Sequence, residues 1–196
     1  MIKERISRIL TAEAEAIKGV PINENVVRAV EMIVKCRGKV FTTGIGKAGY
    51  VAQKAASTFS TTGTPAVFLH PGDAPHGDIG VVTPGDILIA YSNSGKTREV
   101  LEVIGFAKHL GADAVISITS HPDTPLGAES DLVLSIGDIK EPCPLGMTPS
   151  ASTSAMIALS DALALVAMEE RGFTKEDFAQ RHHGGYLGKK SRGELL

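Results

Sequence analysis

Apolar residues recur at helical spacing through the first 35 positions. Ile2, Ile6, Ile9, Leu10, Ala14 and Ile17 predict an amphipathic helix over residues 2–18, which Gly19-Val20-Pro21 ends. A second helix is predicted from about Glu24 to Lys35, with Val26, Val27, Val30, Ile33 and Val34 on its buried face and Arg37-Gly38 closing it. The period then changes. Val40–Thr43, Ala66–Leu69, Ile87–Tyr91, Ala114–Ile118 and Leu132–Leu134 are short β-branched runs without polar alternation. Helical stretches at roughly 47–60, 97–110, 150–171 and 174–181 fall between or after them. Apolar strands separated by helices imply a parallel sheet covered on both faces, an α/β fold. In the segment 150–171, Met156, Leu159, Leu163 and Val166 form one stripe. Ile157, Ala162, Leu165 and Met168 leave little polar surface elsewhere, so the helix is either central or an oligomer contact. With no repeat or long linker, residues 1–196 read as one domain. Residues 1–37 carry the leading helices, which pack on the sheet or on a second subunit, and 38–196 the α/β core and its tail.

Composition narrows the partners. The 196 residues are 43% hydrophobic and 21% charged, enough for one filled core, and the formal charge of −2 with scattered basic residues argues against nucleic acid. Two cysteines, Cys36 and Cys143, fit a reducing compartment. The charged N-terminus lacks the apolar core of a signal peptide, and no uninterrupted apolar run is long enough for a membrane span, so a cytoplasmic protein is expected. The 21 glycines, beside six Phe, three Tyr and no Trp, point to tight loops that approach a polar ligand, at 44–49, 72–80, 95, 146 and 184–188.

In an open parallel sheet, ligands bind beyond the carboxyl ends of the strands. Gly44-Ile45-Gly46-Lys47-Ala48-Gly49 matches the dinucleotide fingerprint, but the next strand ends in Leu69-His70-Pro71 with no acid to hold a ribose, which argues against NAD. Ser92-Asn93-Ser94-Gly95-Lys96-Thr97 combines hydroxyls, a glycine and a following helix, the makings of a phosphate site. Thr148–Ser154 opens the long apolar helix in similar style and is either a second such site or a simple cap. His70, Asp73, His76 and Asp78 have metal-binding residue types without a zinc spacing, so neither a metal nor another cofactor is expected.

Taken in order, these loops resemble the sugar isomerase (SIS) domain family, and within it the arabinose 5-phosphate isomerases that feed Kdo and lipopolysaccharide synthesis. The resemblance rests on Gly44–Gly49, Thr62–Pro65, His70-Pro71, His76–Asp78, Ser92–Gly95, Glu141–Gly146, Gly172–Thr174, Glu176–Ala179 and His182–Gly185, over about residues 39–190. It implies a five-stranded, doubly wound, flavodoxin-like parallel sheet, a homotetramer with shared active sites, and interconversion of D-ribulose 5-phosphate and D-arabinose 5-phosphate. Carried over by position, Lys47, Glu99, Glu141 and His182 are the implied catalytic residues, with His182 brought by a neighbouring subunit. Gly46, His76, Ser92, Asn93, Ser94, Gly95, Thr97, Ser152 and Thr153 are the implied substrate-binding residues. Aldose–ketose isomerisation through an enediol needs a base near C1 and C2 and donors for the developing oxyanion. Glu141, in a turn-rich loop with no helix to cap, is the preferred base. Glu99 could equally serve as favourable charge in a first helical turn.

Three departures stand out. Lys96 replaces the family's usual Glu, His183 its usual Pro, and Ala48 a common Ser. They leave open a second reading, a non-catalytic module that senses a phosphosugar or sugar nucleotide. Longer relatives carry paired CBS domains, and this sequence contains none.

Overall fold

The computed structural model describes residues 1–194. In chain order the elements are α1 (Ile2–Lys18), α2 (Glu24–Lys35), β1 (Val40–Thr43), α3 (Gly46–Thr61), β2 (Ala66–Phe68), β3 (Ile87–Tyr91), α4 (Arg98–His109), β4 (Ala114–Thr119), α5 (Pro125–Ala128), β5 (Leu132–Ser135), α6 (Ala151–Glu170), α7 (Lys175–Arg181) and α8 (Gly185–Ser191). Two short 3-10 turns, Ala74–His76 and Asp78–Val81, lie between β2 and β3. The strands form one parallel sheet in the order β2-β1-β3-β4-β5, the flavodoxin-like arrangement that the family resemblance implies.

Strand β3 shows why the sheet is covered twice. All five of its residues are buried. Ile87, Ile89 and Tyr91 pack with Ile33 of α2, Val51 and Phe59 of α3 and Met156 of α6. Leu88 and Ala90 point the other way, onto Val100, Val103 and Ile104 of α4 and Leu126 of α5. The two-residue period thus feeds two cores, and each buried aliphatic side chain contributes about 1.5–3 kcal/mol. The amino ends of β1 and β3 are tied by Asp86. Its buried carboxylate accepts from the Lys39 N–H at 2.6 Å and from the Thr83 N–H and hydroxyl at 2.8 and 3.0 Å, with Lys39 Nζ 3.4 Å away. Burial alone would raise this carboxyl, but the Lys39 and Thr83 donors outweigh it and hold it below the usual carboxylate range.

Several expectations need correction. Segment 184–188 is not a turn: Gly185 and Gly188 belong to α8, where Gly188 lies against the His182 carbonyl. The single turn α5 follows Thr124, with Pro125 at its first position, and periodicity does not signal it. Val27, expected on a buried face, is 48% exposed; on α6, expected to be central or an oligomer contact, Val166 and Leu165 are 41% and 49% exposed. No residue of α1 is buried, and Ile2, Ile6 and Leu10 face solvent. Among the described residues only α6 has the length and composition of a membrane span. Half of that stretch is buried inside the protein, with Ala155, Met156, Leu159, Leu163 and Ala167 in the core.

Candidate functional site

From β1 the chain crosses to β2 on one side and then to β3 on the other, so the loops leaving β1 and β3 diverge and open a crevice at the carboxyl edge. A cleft of about 390 Å³ lies there, within the range of small-molecule sites. Ile45, Lys47 and Ala48 line it from the β1 loop, Tyr91, Ser92, Asn93, Ser94 and Thr97 from β3 and its loop, His121 from beyond β4, and Pro149, Ser152, Thr153 and Met156 from the start of α6.

The β3 loop keeps the geometry expected of an anion site. Ser92 Oγ pairs with Thr97 Oγ1 at 2.8 Å, while the Gly95 N–H turns back to the Ser92 carbonyl and hydroxyl at 3.2 Å each. Thr97 is the N-cap residue of α4, yet its hydroxyl makes no capping bond, so the positive end of α4 is left for a ligand. Gly95 has φ +64°, and a Cβ there would collide with Thr124. Its glycine is required by the loop after β4 as well as by any close approach of a ligand. On the opposite wall the exposed Lys47 makes no hydrogen bond or ion pair among the described residues, and it is free to meet an incoming group. A Cβ on Gly49 would stand 2.7 Å from the Gly44 carbonyl, so the glycine fingerprint serves close strand–helix packing here.

The start of α6 behaves differently. Its N-terminal N–H groups are already taken by Glu141, the reverse of the expectation that this residue has no helix to cap. Glu141 Oε2 accepts from the N–H of Ser150 and Ala151 at 2.8 and 2.9 Å, and Oε1 from the Ser152 N–H at 3.3 Å and from the Ser152 hydroxyl. The cap lies outside the reach of local motifs because Glu141 is nine residues from Ser150. Thr148–Ser154 is therefore a capped helix start and not a second anion site, although Ser152 and Thr153 still face the cleft. Cys143, in the same loop, accepts from the N–H of Met147 and Thr148 at 3.2 Å each. These donors, Thr148 first, draw its thiol down to about 7.

Of the residues implied by resemblance, Lys47, Ser92, Asn93, Ser94, Thr97, Ser152 and Thr153 come together around the cleft. Gly95 sits behind it. Gly46, with φ +61°, turns to a neighbouring hollow of about 170 Å³ with Tyr50, Gln53, Phe68 and His70. Glu141 adjoins the cleft through Ser152. Glu99 lies half-buried in the first turn of α4, and it does not line the cleft and has no bonding partner among the described residues. His76 is exposed at the end of a 3-10 turn.

His182 is far away in the same chain. Helix α6 runs about 30 Å from the cleft, and Arg171, just past its end, bonds the Ile33 carbonyl at 2.7 Å. Phe173 then packs over Gly63, Arg181 lies over Phe173, and His182 stacks on Phe178 at 3.8 Å. His121, by contrast, lines the cleft and carries none of the motifs. Only its place two residues past β4, at the carboxyl edge, could have nominated it. Among the described residues no group of three or more His, Cys, Asp and Glu side chains could hold a metal ion.

Residues 32–166 match the family model of the SIS domain. The chain belongs to the SIS domain family. This SIS chain is 47% identical over 169 residues to arabinose 5-phosphate isomerase KdsD of Yersinia pestis and 46% to that of Escherichia coli K12, in each case over 86% of its own length. It spans about half the length of these curated relatives, 51% in both cases. Among solved structures, a Bacteroides fragilis protein described as a candidate phosphosugar isomerase involved in capsule formation superimposes with a TM-score of 0.91 at 45% identity, covering 95% of the SIS chain and all of its own. An E. coli CFT073 protein solved in complex with arabinose 5-phosphate gives 0.88 at 34% identity, covering 92% of the SIS chain and 97% of that protein.

Proposed function

We propose that the SIS chain is a metal-independent aldose–ketose isomerase interconverting D-ribulose 5-phosphate and D-arabinose 5-phosphate. The observation that carries this reading is the cleft at the switch point, where an uncapped α4 and the Ser92–Thr97 loop face Lys47. The 44–47% identity to proteins named arabinose 5-phosphate isomerase and the relative solved with the aldose phosphate support it.

In the proposed reaction the phosphate lies on Ser92, Ser94 and Thr97 at the amino end of α4. A base removes a proton from C1 of the ketose, and O2 takes up a proton to give the 1,2-enediol. Return of a proton to C2 and loss of one from O1 complete the aldose, with no net gain or loss of electrons. Lys47 stabilises the oxygen that gains charge. Glu141 is the proposed base, acting beside Ser152, with Glu99 the alternative carboxylate. His182 or His76 assists ring opening, His182 from a neighbouring subunit. Shared sites of this kind go with a homotetramer, and the apolar surface available for it is ample. Val26, Val27, Val30, Val34 and Val166 line a groove of about 550 Å³ between α2 and α6, close to exposed Leu165. Sedimentation of Val27→Asp beside the unaltered chain tests this assembly, and an unchanged oligomeric mass would overturn the use of this face. The two free cysteines support a cytoplasmic setting. A role in Kdo and lipopolysaccharide synthesis comes from the family resemblance.

The decisive experiment incubates the purified chain with ribulose 5-phosphate in deuterated water. Appearance of arabinose 5-phosphate carrying deuterium at C2 is expected, and absence of any new aldose phosphate refutes the proposal. The remoteness of His182 and the capping role of Glu141 favour one rival, a phosphosugar-sensing module without turnover. That rival predicts saturable binding of the same sugar with no exchange.

A further inference from the structure

Beyond the β4 strand, three contacts converge on Asn93. Its carbonyl accepts from Thr119 Oγ1 at 3.1 Å and from His121 Nδ1 at 2.7 Å, and its side-chain oxygen accepts from Ser120 Oγ at 2.8 Å. The His121 backbone is fixed as well: its N–H donates to Thr119 Oγ1 at 3.0 Å, and its carbonyl accepts from Thr124 Oγ1 at 2.7 Å. A carbonyl can only accept, so Nδ1 carries the ring hydrogen, and in the neutral imidazole Nε2 is then an acceptor. On Asn93 the oxygen is occupied and the amide NH2 remains. Both residues line the cleft, and among the described residues neither His121 Nε2 nor Asn93 Nδ2 has a protein partner.

We infer that Asn93 Nδ2 and His121 Nε2 form a donor–acceptor pair that reads one hydroxyl of the sugar chain, making His121 a specificity-determining residue. A hydroxyl accepts from the amide and donates to the imidazole at once. A phosphate dianion offers only acceptors and would set a lone pair against Nε2. The two halves of the cleft therefore divide the ligand: Ser94, Thr97 and the α4 end take the phosphate, and the Asn93–His121 pair takes the carbon chain. The supporting contacts hold the ring before the ligand arrives, so little ordering is needed on binding.

The inference rests on the phosphosugar reading, and its test separates the two. His121→Leu removes the acceptor, while His121→Gln returns one. For His121→Leu, affinity for ribulose 5-phosphate, measured by calorimetry, and kcat/KM are expected to fall about five- to tenfold, the loss of one neutral hydrogen bond. Competition by inorganic phosphate should stay unchanged, and His121→Gln should recover much of the sugar affinity. Circular dichroism and the melting temperature verify that both variants fold. Equal sugar affinity in His121→Leu, or a parallel loss of phosphate affinity, overturns the pair. Absence of turnover by the unaltered chain overturns the isomerase reading instead, and the calorimetric comparison still decides the pair. Failure of the unaltered chain to bind the sugar phosphate overturns both.

Discussion

Glu141 has two possible duties, and one substitution series separates them. In Glu141→Ala the N–H groups of Ser150, Ala151 and Ser152 and the Ser152 hydroxyl lose their common acceptor. An N-cap is worth about 0.5–2 kcal/mol and a carboxylate at a helix start about 0.3–1 kcal/mol more. The half-buried position allows water to replace part of this, so a net loss of about 2 kcal/mol is expected. At this chain length that lowers Tm by about 4–8 °C. Glu141→Gln can keep its oxygen toward Ser150 and Ala151, losing only the charge and the Ser152 contact, so the fall should be about half as large. Differential scanning calorimetry at one fixed protein concentration reads both shifts. Activity then discriminates: an amide cannot take up the C1 proton, so a true base loses about 10²–10⁴ in kcat in both variants, while a cap alone leaves Glu141→Gln largely active. An unchanged Tm in Glu141→Ala would refute the capping argument.

Other expectations follow from particular contacts. Ser94→Ala should raise the KM for a phosphorylated sugar by about 10- to 100-fold, a charged hydrogen bond being worth about 1.5–3 kcal/mol; unchanged kinetics would move the phosphate elsewhere. Because the folded carboxyl of Asp86 is held below its unfolded value, its stabilisation is full above the ordinary carboxylate range and is lost as pH falls through the depressed value. Asp86→Asn should therefore lower the urea midpoint at neutral pH and flatten the acid limb of the stability curve, and an unaltered acid limb would count against this. Iodoacetamide should label Cys143 with a rate that rises through about pH 7, while burial pushes the Cys36 thiol up and slows its labelling, as peptide mass spectrometry would show.

The sheet was legible because Val40–Thr43, Ile87–Tyr91 and Ala114–Ile118 are uninterrupted buried runs, while their order in space was expected only from the family resemblance. The tail was less so. Gly184, Gly185 and Gly188 weaken a helical pattern by composition, yet Gly188 is small enough to lie on the His182 carbonyl and let α8 form. Val27 and Val166 matched the helical period, but period locates a face and does not say what covers it. In the site, the serine loop was readable because its residues are consecutive. The Glu141 cap and the His121–Asn93 contact join residues 9 or more apart, which no local pattern encodes.

Three helix starts border the cleft, those of α3, α4 and α6, and the protein has filled that of α6 with its own carboxylate. Those of α3 and α4 carry no side-chain cap among the described residues. On the proposed reading, a sugar monophosphate keeps its charged end away from the α6 start, and its carbon chain lies on the side of the Ser152 hydroxyl. A second phosphate placed at the α6 start would meet the negative Glu141 carboxylate. The internal cap thus gives the cleft a polarity, with its α6 side disfavoured for an anion.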